Sequence, residues 1–182
     1  MEDRLRGYLS DNEVSEQFAT FFSFRFLPIS SKTCNILCNE YISIISPDLV
    51  IVIADDTAGG FFCMLENGKI AYISSSGEAG IVAHSLSDLI HLIVLYPNWN
   101  CYYLSERKTS GLDLLSDDNR DDYIDFIEQN CGHSFRKYRD CTISTLCLDQ
   151  SFSVDSMLHC LNEYHFIVTY VKGNDTWHSS PL

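Results

Sequence analysis

The chain has 182 residues, 46% of them hydrophobic and 13% aromatic, which suits one packed domain with an appended lobe and excludes a disordered chain. With 25 acidic against 12 basic side chains, the formal charge of -13 repels phosphate backbones and anionic lipid, so neither nucleic acid nor a membrane is expected as a partner. The same field attracts a basic protein and speeds its encounter, although acidic surfaces also serve solubility alone.

The opening Met1-Glu2-Asp3-Arg4-Leu5-Arg6-Gly7 has neither the apolar core nor the cleavage site of a secretory signal. The cysteines are therefore expected as reduced thiols in a cytoplasmic protein. From Asn12 to Phe26, Val14, Phe18, Phe21 and Phe22 recur at helical spacing, with Glu13 and Glu16 near the positive end of the helix dipole. Pro28 and Ser30-Ser31 end that helix, and an ambiguous element over 34–45 is punctuated by Pro47. Leu49 to Ala54 is a β-branched run, apolar on both faces, that reads as a buried strand leading into a turn over Asp55 to Gly60.

Phe61 to Glu66 and Lys69 to Ser74 flank Asn67-Gly68, the dipeptide suited to a two-residue type I′ hairpin loop. In that register Glu66 faces Lys69, Leu65 faces Ile70 and Cys63 faces Tyr72. Phe62 and Ile73 then share one face, Phe61 and Tyr72 the other, which places the hairpin within a covered sheet. Gly80 to Ala83 adds a short strand. Ser85 caps a following helix, with Asp88 reaching back to it, and Pro97 stops that helix near Tyr96. The greasy stretch from Ile81 to Tyr96 is interrupted by His84, Asp88 and His91 and is too short to span a bilayer.

Beyond residue 100 the pattern is more polar. Asp117 is expected to cap a helix running to about Cys131, with Tyr123, Phe126 and Ile127 inward and Gly132 at its end. Asp118, Asp121, Asp122, Asp125 and Glu128 recur along its other face, and the basic Arg136-Lys137-Tyr138-Arg139 follows to neutralise part of that stripe. Thr142 to Leu148 reads as a strand, Val154 to Tyr164 as a helix and His165 to Val171 as a last strand.

Chemistry-bearing patterns are sparse. Cys34 and Cys38 share a helical spacing, yet no further Cys or His pair supplies a four-ligand zinc site. Cys131-Gly132-His133 and His159-Cys160 place thiol beside imidazole with nothing to select a third member of a catalytic set. His84 and His91 read as structural histidines bonded to backbone carbonyls. Asp55-Asp56 lacks the spaced acids of a calcium loop and reads as a solvated turn. No cofactor, metal or catalytic residue is assigned. The favoured reading is a non-catalytic protein that binds a protein partner, with Asp118, Asp121, Asp122, Asp125, Glu128, Asp55 and Asp56 as the candidate contact residues. A regulatory scaffold, or a small hydrolase built from dispersed Cys and His, are the alternatives.

Gly59-Gly60, the 61–74 hairpin, the segment Ile81-Val82-Ala83-His84-Ser85-Leu86-Ser87-Asp88 and Tyr96-Pro97-Asn98-Trp99 together resemble the SUKH superfamily over roughly Asp48 to Trp99. That family groups a yeast cell-wall-synthesis regulator with many bacterial immunity proteins. The resemblance implies a single α+β domain over 1–182, with a core at about 12–99 and residues 101–182 as an extension. Its sheet would be mainly antiparallel around the central Asn-Gly hairpin, with helices packed about it. It also implies a cytoplasmic immunity protein that neutralises a polymorphic toxin, often a nuclease, by binding it through an acidic surface.

Overall fold

In the computed structural model, the described residues are 2–28, 31–37, 42–99, 117–131, 134–155, 157, 159–160 and 166–182. The chain is α+β, with a mostly antiparallel sheet, and divides into two compact units, Met1–Leu89 with Asp155–Leu182, and Ile90–Val154.

The first unit holds the whole 9-stranded sheet. It begins with α1 (Glu2–Leu9) and α2 (Asn12–Phe22). The Asp11 carboxylate accepts from the amides of Glu13 and Val14 at 3.0 and 3.2 Å, satisfying two of the open donors that begin α2. The sequence periodicity extends this helix to Phe26, but Ser23 takes a left-handed conformation (φ 51°) and the Phe24 amide bonds back to the Phe18 carbonyl. That closes the helix. Phe24 to Phe26 is thereby freed to enter β1 (Arg25–Phe26), which pairs with β3. α1 escaped the sequence reading because, among its described side chains, only Leu5 and Leu9 are buried in a polar run.

β3 (Ser43–Asp55) is the spine. Its first half lies between β2 (Thr33–Leu37) and β7 (Thr169–Lys172), its second half between β1 and β4 (Phe61–Leu65). Pro47, expected to separate two elements, instead lies inside β3. The β2 register runs Thr33↔Val50 and then Asn35↔Ile45, so residues 46–49 bulge opposite Cys34. A proline has no N–H to give a ladder, and a bulge is where it is tolerated.

β4 pairs with β5 (Ile70–Ile73), β5 with β6 (Glu78–Ala83), and β6 runs parallel to β9 (Ser180–Pro181). β8 (Asp175–His178) pairs with β7 and forms one edge. The last fourteen residues are therefore part of the sheet, including two short strands that the sequence reading did not foresee.

The connection through Asn67-Gly68 differs from the expected two-residue loop. Leu65 N–H bonds to the Lys69 carbonyl at 2.9 Å and Gly68 N–H to the Leu65 carbonyl at 3.0 Å. Gly68 has φ +83°, while Asn67 is not among the positive-φ residues. This is a type I turn followed by a glycine bulge. One extra loop residue shifts the register by one, and a one-residue shift exchanges faces. Phe62 now faces Tyr72, Phe61 faces Ile73, and Cys63 faces Ala71. Cys63, Ala71 and Ile73 join the buried cluster of Ile44, Val50, Phe166 and Val168. On the other face Phe18, Phe24, Phe62 and Tyr72 pack in series, edge-on or tilted, with centroids 6.3, 5.1 and 4.9 Å apart.

α3 (Leu86–Leu95) leads the chain into the second unit. Ser85 Oγ accepts from the Asp88 amide at 3.1 Å, as a cap at that position should. Within the second unit α4 (Asp117–Cys131) packs against α5 (Phe135–Leu146). Arg139 of α5 donates to the carbonyls of Val94 and Leu95 at 2.9 and 3.3 Å, satisfying open acceptors at the end of α3. The strand expected over Thr142 to Leu148 is helix as far as Leu146. Phe135, Thr142 and Ile143 are buried at helical spacing, so packing on one face overrides the strand preference of the β-branched residues. Val154 is in a turn, residues 155, 157, 159 and 160 are helical, and the rest of the Val154 to Tyr164 expectation lies outside the described residues, as does Gly132.

Candidate protein-binding surface

α4 carries most of the candidate contacts. At about 100° per residue, a helix that buries one position exposes the position two further on. Ile124 is buried at 1% exposure, and Arg120, Tyr123, Ile127 and Glu128 flank it at intermediate exposure. Asp121, Asp122, Asp125, Phe126, Gln129 and Asn130 occupy the exposed arc. Phe126, expected inward, is 60% exposed because it lies two residues beyond Ile124, with Asp122 one turn before it and Asn130 one turn after.

The acids of this arc are only partly neutralised. Asp125 receives a hydrogen bond from Arg136 Nη2, which holds that guanidinium above its ordinary value. Glu128 turns toward the same arginine, accepting from its backbone amide at 3.0 Å and lying 3.5 Å from Nε. Arg120 reaches Asp121 at 3.3 Å and stacks over the Tyr96 ring at 5.6 Å. Asp122 has no ion-pair partner among the described residues. Asp118 lies in the first turn of α4, with its side chain outside the described residues. The expected basic knot thus acts through Arg136, while Arg139 is spent on α3.

Asp55 and Asp56 belong to the first unit and do different work. Arg25 clamps Asp55 through two bonds of 3.0 and 2.8 Å, which raises the arginine above its ordinary value. Asp56 is 9% exposed. Its Oδ1 accepts from the amides of Ala58 and Gly60 at 2.9 and 2.6 Å, and its Oδ2 accepts from the Tyr72 hydroxyl. The carboxylate closes its own loop and ties it to β5, where the sequence had suggested a solvated turn.

Burial, and then the hydrogen bond to Asp56, push Tyr72 above its ordinary value of 10.0. The folded chain therefore holds this proton more tightly than the unfolded chain. Stability from this group is complete below about pH 10 and falls as pH rises toward the folded value. Urea midpoints measured upward from about pH 10 should decline, and Tyr72→Phe should flatten that decline while lowering the neutral-pH midpoint. An identical alkaline slope in the variant would show that other groups carry it.

His91 Nε2 accepts from the Asp149 amide at 3.0 Å, the reverse of the expected bond to a carbonyl, and stacks on Phe152 at 5.3 Å. His84 and His159 rings lie 6.0 Å apart. Cys63 and Cys160 are buried, whereas Cys34, Cys141 and Cys147 are exposed. Cys38 and His133 lie outside the described residues. Among the described residues no group of three or more His, Cys, Asp or Glu side chains is arranged to hold a metal ion, and no helix is long and apolar enough to cross a membrane.

No family model, curated protein or solved structure matches the chain. The chain is an α+β protein with an aromatic side chain, Phe126, set in an acidic helix face.

Proposed function

We propose that this chain is a non-catalytic, cytoplasmic binding protein of the immunity type, which neutralises a basic toxin domain by covering it with the exposed face of α4. The observation that carries this reading is Phe126, 60% exposed between Asp122, Asp125 and Asn130. An exposed aromatic costs solubility, and interfaces place such residues where a partner's pocket desolvates them. The surrounding carboxylates match a ring of lysine or arginine, and the charge of -13 steers such a surface inward from a distance.

A nuclease fits this partner description because its substrate face must be basic to hold phosphates. The chain would block that face by occlusion, with no bond made or broken. The antiparallel sheet and the order of Gly59-Gly60, β4, β5 and the Ser85-capped helix support the SUKH-like reading.

The test is to look for a gene beside this one that encodes a secreted toxin domain, whose absence would count against the reading, and to co-express the two. Cells are expected to survive with the wild-type chain, and the purified pair to bind in a calorimetric titration. Killing that proceeds equally with and without the chain would overturn the reading.

A further inference from the structure

A second surface lies in the first unit and does not depend on the toxin-binding reading. β8 forms one edge of the sheet, and among the described residues no strand pairs with its outer side. Ser179 N–H bonds to the Val168 carbonyl at 2.9 Å, one step beyond the Thr169↔His178 pair in the same register. Antiparallel pairs alternate, so Trp177 and Asp175 also bond inward to β7, whereas the N–H and C=O groups of Thr176 and His178 point outward. All four residues of β8 are exposed. Trp177, at 42% exposure, lies flat on Tyr170, with ring centroids 5.4 Å apart and planes within 5°. The far edge of the sheet ends differently, because β9 has only two residues and one of them is Pro181. Proline, lysine and bulges are the usual guards of an open edge, and β8 has none of them.

We propose that β8 pairs antiparallel with β8 of a second copy of this chain, about a twofold axis between the two Trp177 residues. The outward groups of Thr176 in each copy then meet those of His178 in the other, so one strand supplies both halves of the ladder. This register sets Trp177 opposite Trp177 as a non-hydrogen-bonded pair, the closer of the two kinds, and extends the Tyr170–Trp177 stack into a row of four rings. The charge of -13 opposes self-association over most of the surface, but β7 and β8 carry one charge of each sign, Lys172 and Asp175, opposite each other in the hairpin. The two rows that cross the sheet to this edge hold no carboxylate, lysine or arginine. One is Asn35, Ile45, Thr169 and His178, and the other is Ile36, Ile44, Tyr170 and Trp177. In the paired copies the two Asp175 residues stand four positions apart along the strands, roughly 13 Å, which exceeds the Debye length of about 8 Å. Two acidic chains therefore meet here with little repulsion.

The test is sedimentation equilibrium of the full chain from about 10 µM to about 1 mM. Two four-residue strands bury less than the roughly 1,200 Å² of a stable complex, so the dimer should be weak, with the mass rising from 20.8 kDa toward twice that value across this range. Amide hydrogen exchange followed by NMR should slow at Thr176 and His178 as concentration rises. Thr176→Pro and His178→Pro each remove an outward N–H that β7 does not use, so both should keep the wild-type urea midpoint while weakening dimerisation at least about tenfold. His178→Ala keeps that N–H and should still dimerise. A chain that stays monomeric throughout the range would overturn the proposal and leave this edge to a strand of a different protein. A dimer that survives both proline variants, or that protects other amides instead, would place the contact elsewhere and overturn it equally.

Discussion

Gly60→Ala is expected to destabilise the chain by about 3–5 kcal/mol, the range of a forced overlap inside a buried hydrogen-bond network. A Cβ at this position would lie 2.6 Å from Asp56 Oδ2, 2.8 Å from the Ile73 carbonyl and 2.9 Å from the Tyr72 hydroxyl. None of the three can withdraw cheaply. Ile73 O belongs to the backbone of β5, and the other two atoms hold each other. Asp56→Ala removes an acceptor shared by two amides and one hydroxyl and should cost about 3 kcal/mol.

The two changes should not add, because deleting the carboxylate also removes the nearest of the three clashes. Urea unfolding followed by far-ultraviolet circular dichroism measures all three variants. A Gly60→Ala chain within about 0.5 kcal/mol of wild type, the range of ordinary surface changes, would mean that the loop does not pack as described. A double variant whose loss equals the two single losses together would show that Asp56 and Gly60 act independently.

The same loop shows what the sequence could and could not disclose. A turn over 55–60 was legible from Asp-Asp and Gly-Gly, since those residues act within their own few bonds. That Asp56 is buried was not legible, because its third donor, Tyr72, comes from β5. Ser85 was legible for the same local reason. At Asn67-Gly68 the dipeptide marks a turn, but a choice between two and three loop residues is made by pairing further along the ladder, where Val50 meets Leu65. β9 pairs with β6 at Glu78↔Ser180, over more than half the length of the chain, and leaves no local trace. In α4 the helix and its acids were readable, yet the phase was set by Ile124, which the acidic spacing concealed. That phase turns Phe126 outward, where it is more exposed than Ile45, Leu49, Ile167 or Trp177.

With the phase corrected, the α4 surface makes a quantitative claim. If α4 binds a basic toxin domain as proposed, combining Asp121→Lys, Asp122→Lys and Asp125→Lys should weaken that binding at least about 100-fold, since it would replace three attractive contacts with three repulsive ones. Much of that loss should appear in the association rate and its salt dependence. Phe126→Ala should weaken binding by about 2 kcal/mol through faster dissociation, as loss of a central aromatic anchor does. Neither variant should lose much fold stability. Phe126 is 60% exposed, and the Asp125–Arg136 pair is exposed on both sides. Ile124→Ala supplies the contrast, because that side chain is 1% exposed and its truncation should cost about 2–4 kcal/mol. The control for net charge alone is Glu13→Lys with Glu16→Lys and Asp175→Lys, three exposed acids of the first unit. If surface plasmon resonance finds that this control weakens binding as much as the α4 reversal, the effect is long-range steering and α4 is not the contact. If Phe126→Ala leaves dissociation unchanged as well, the interface lies elsewhere on the chain.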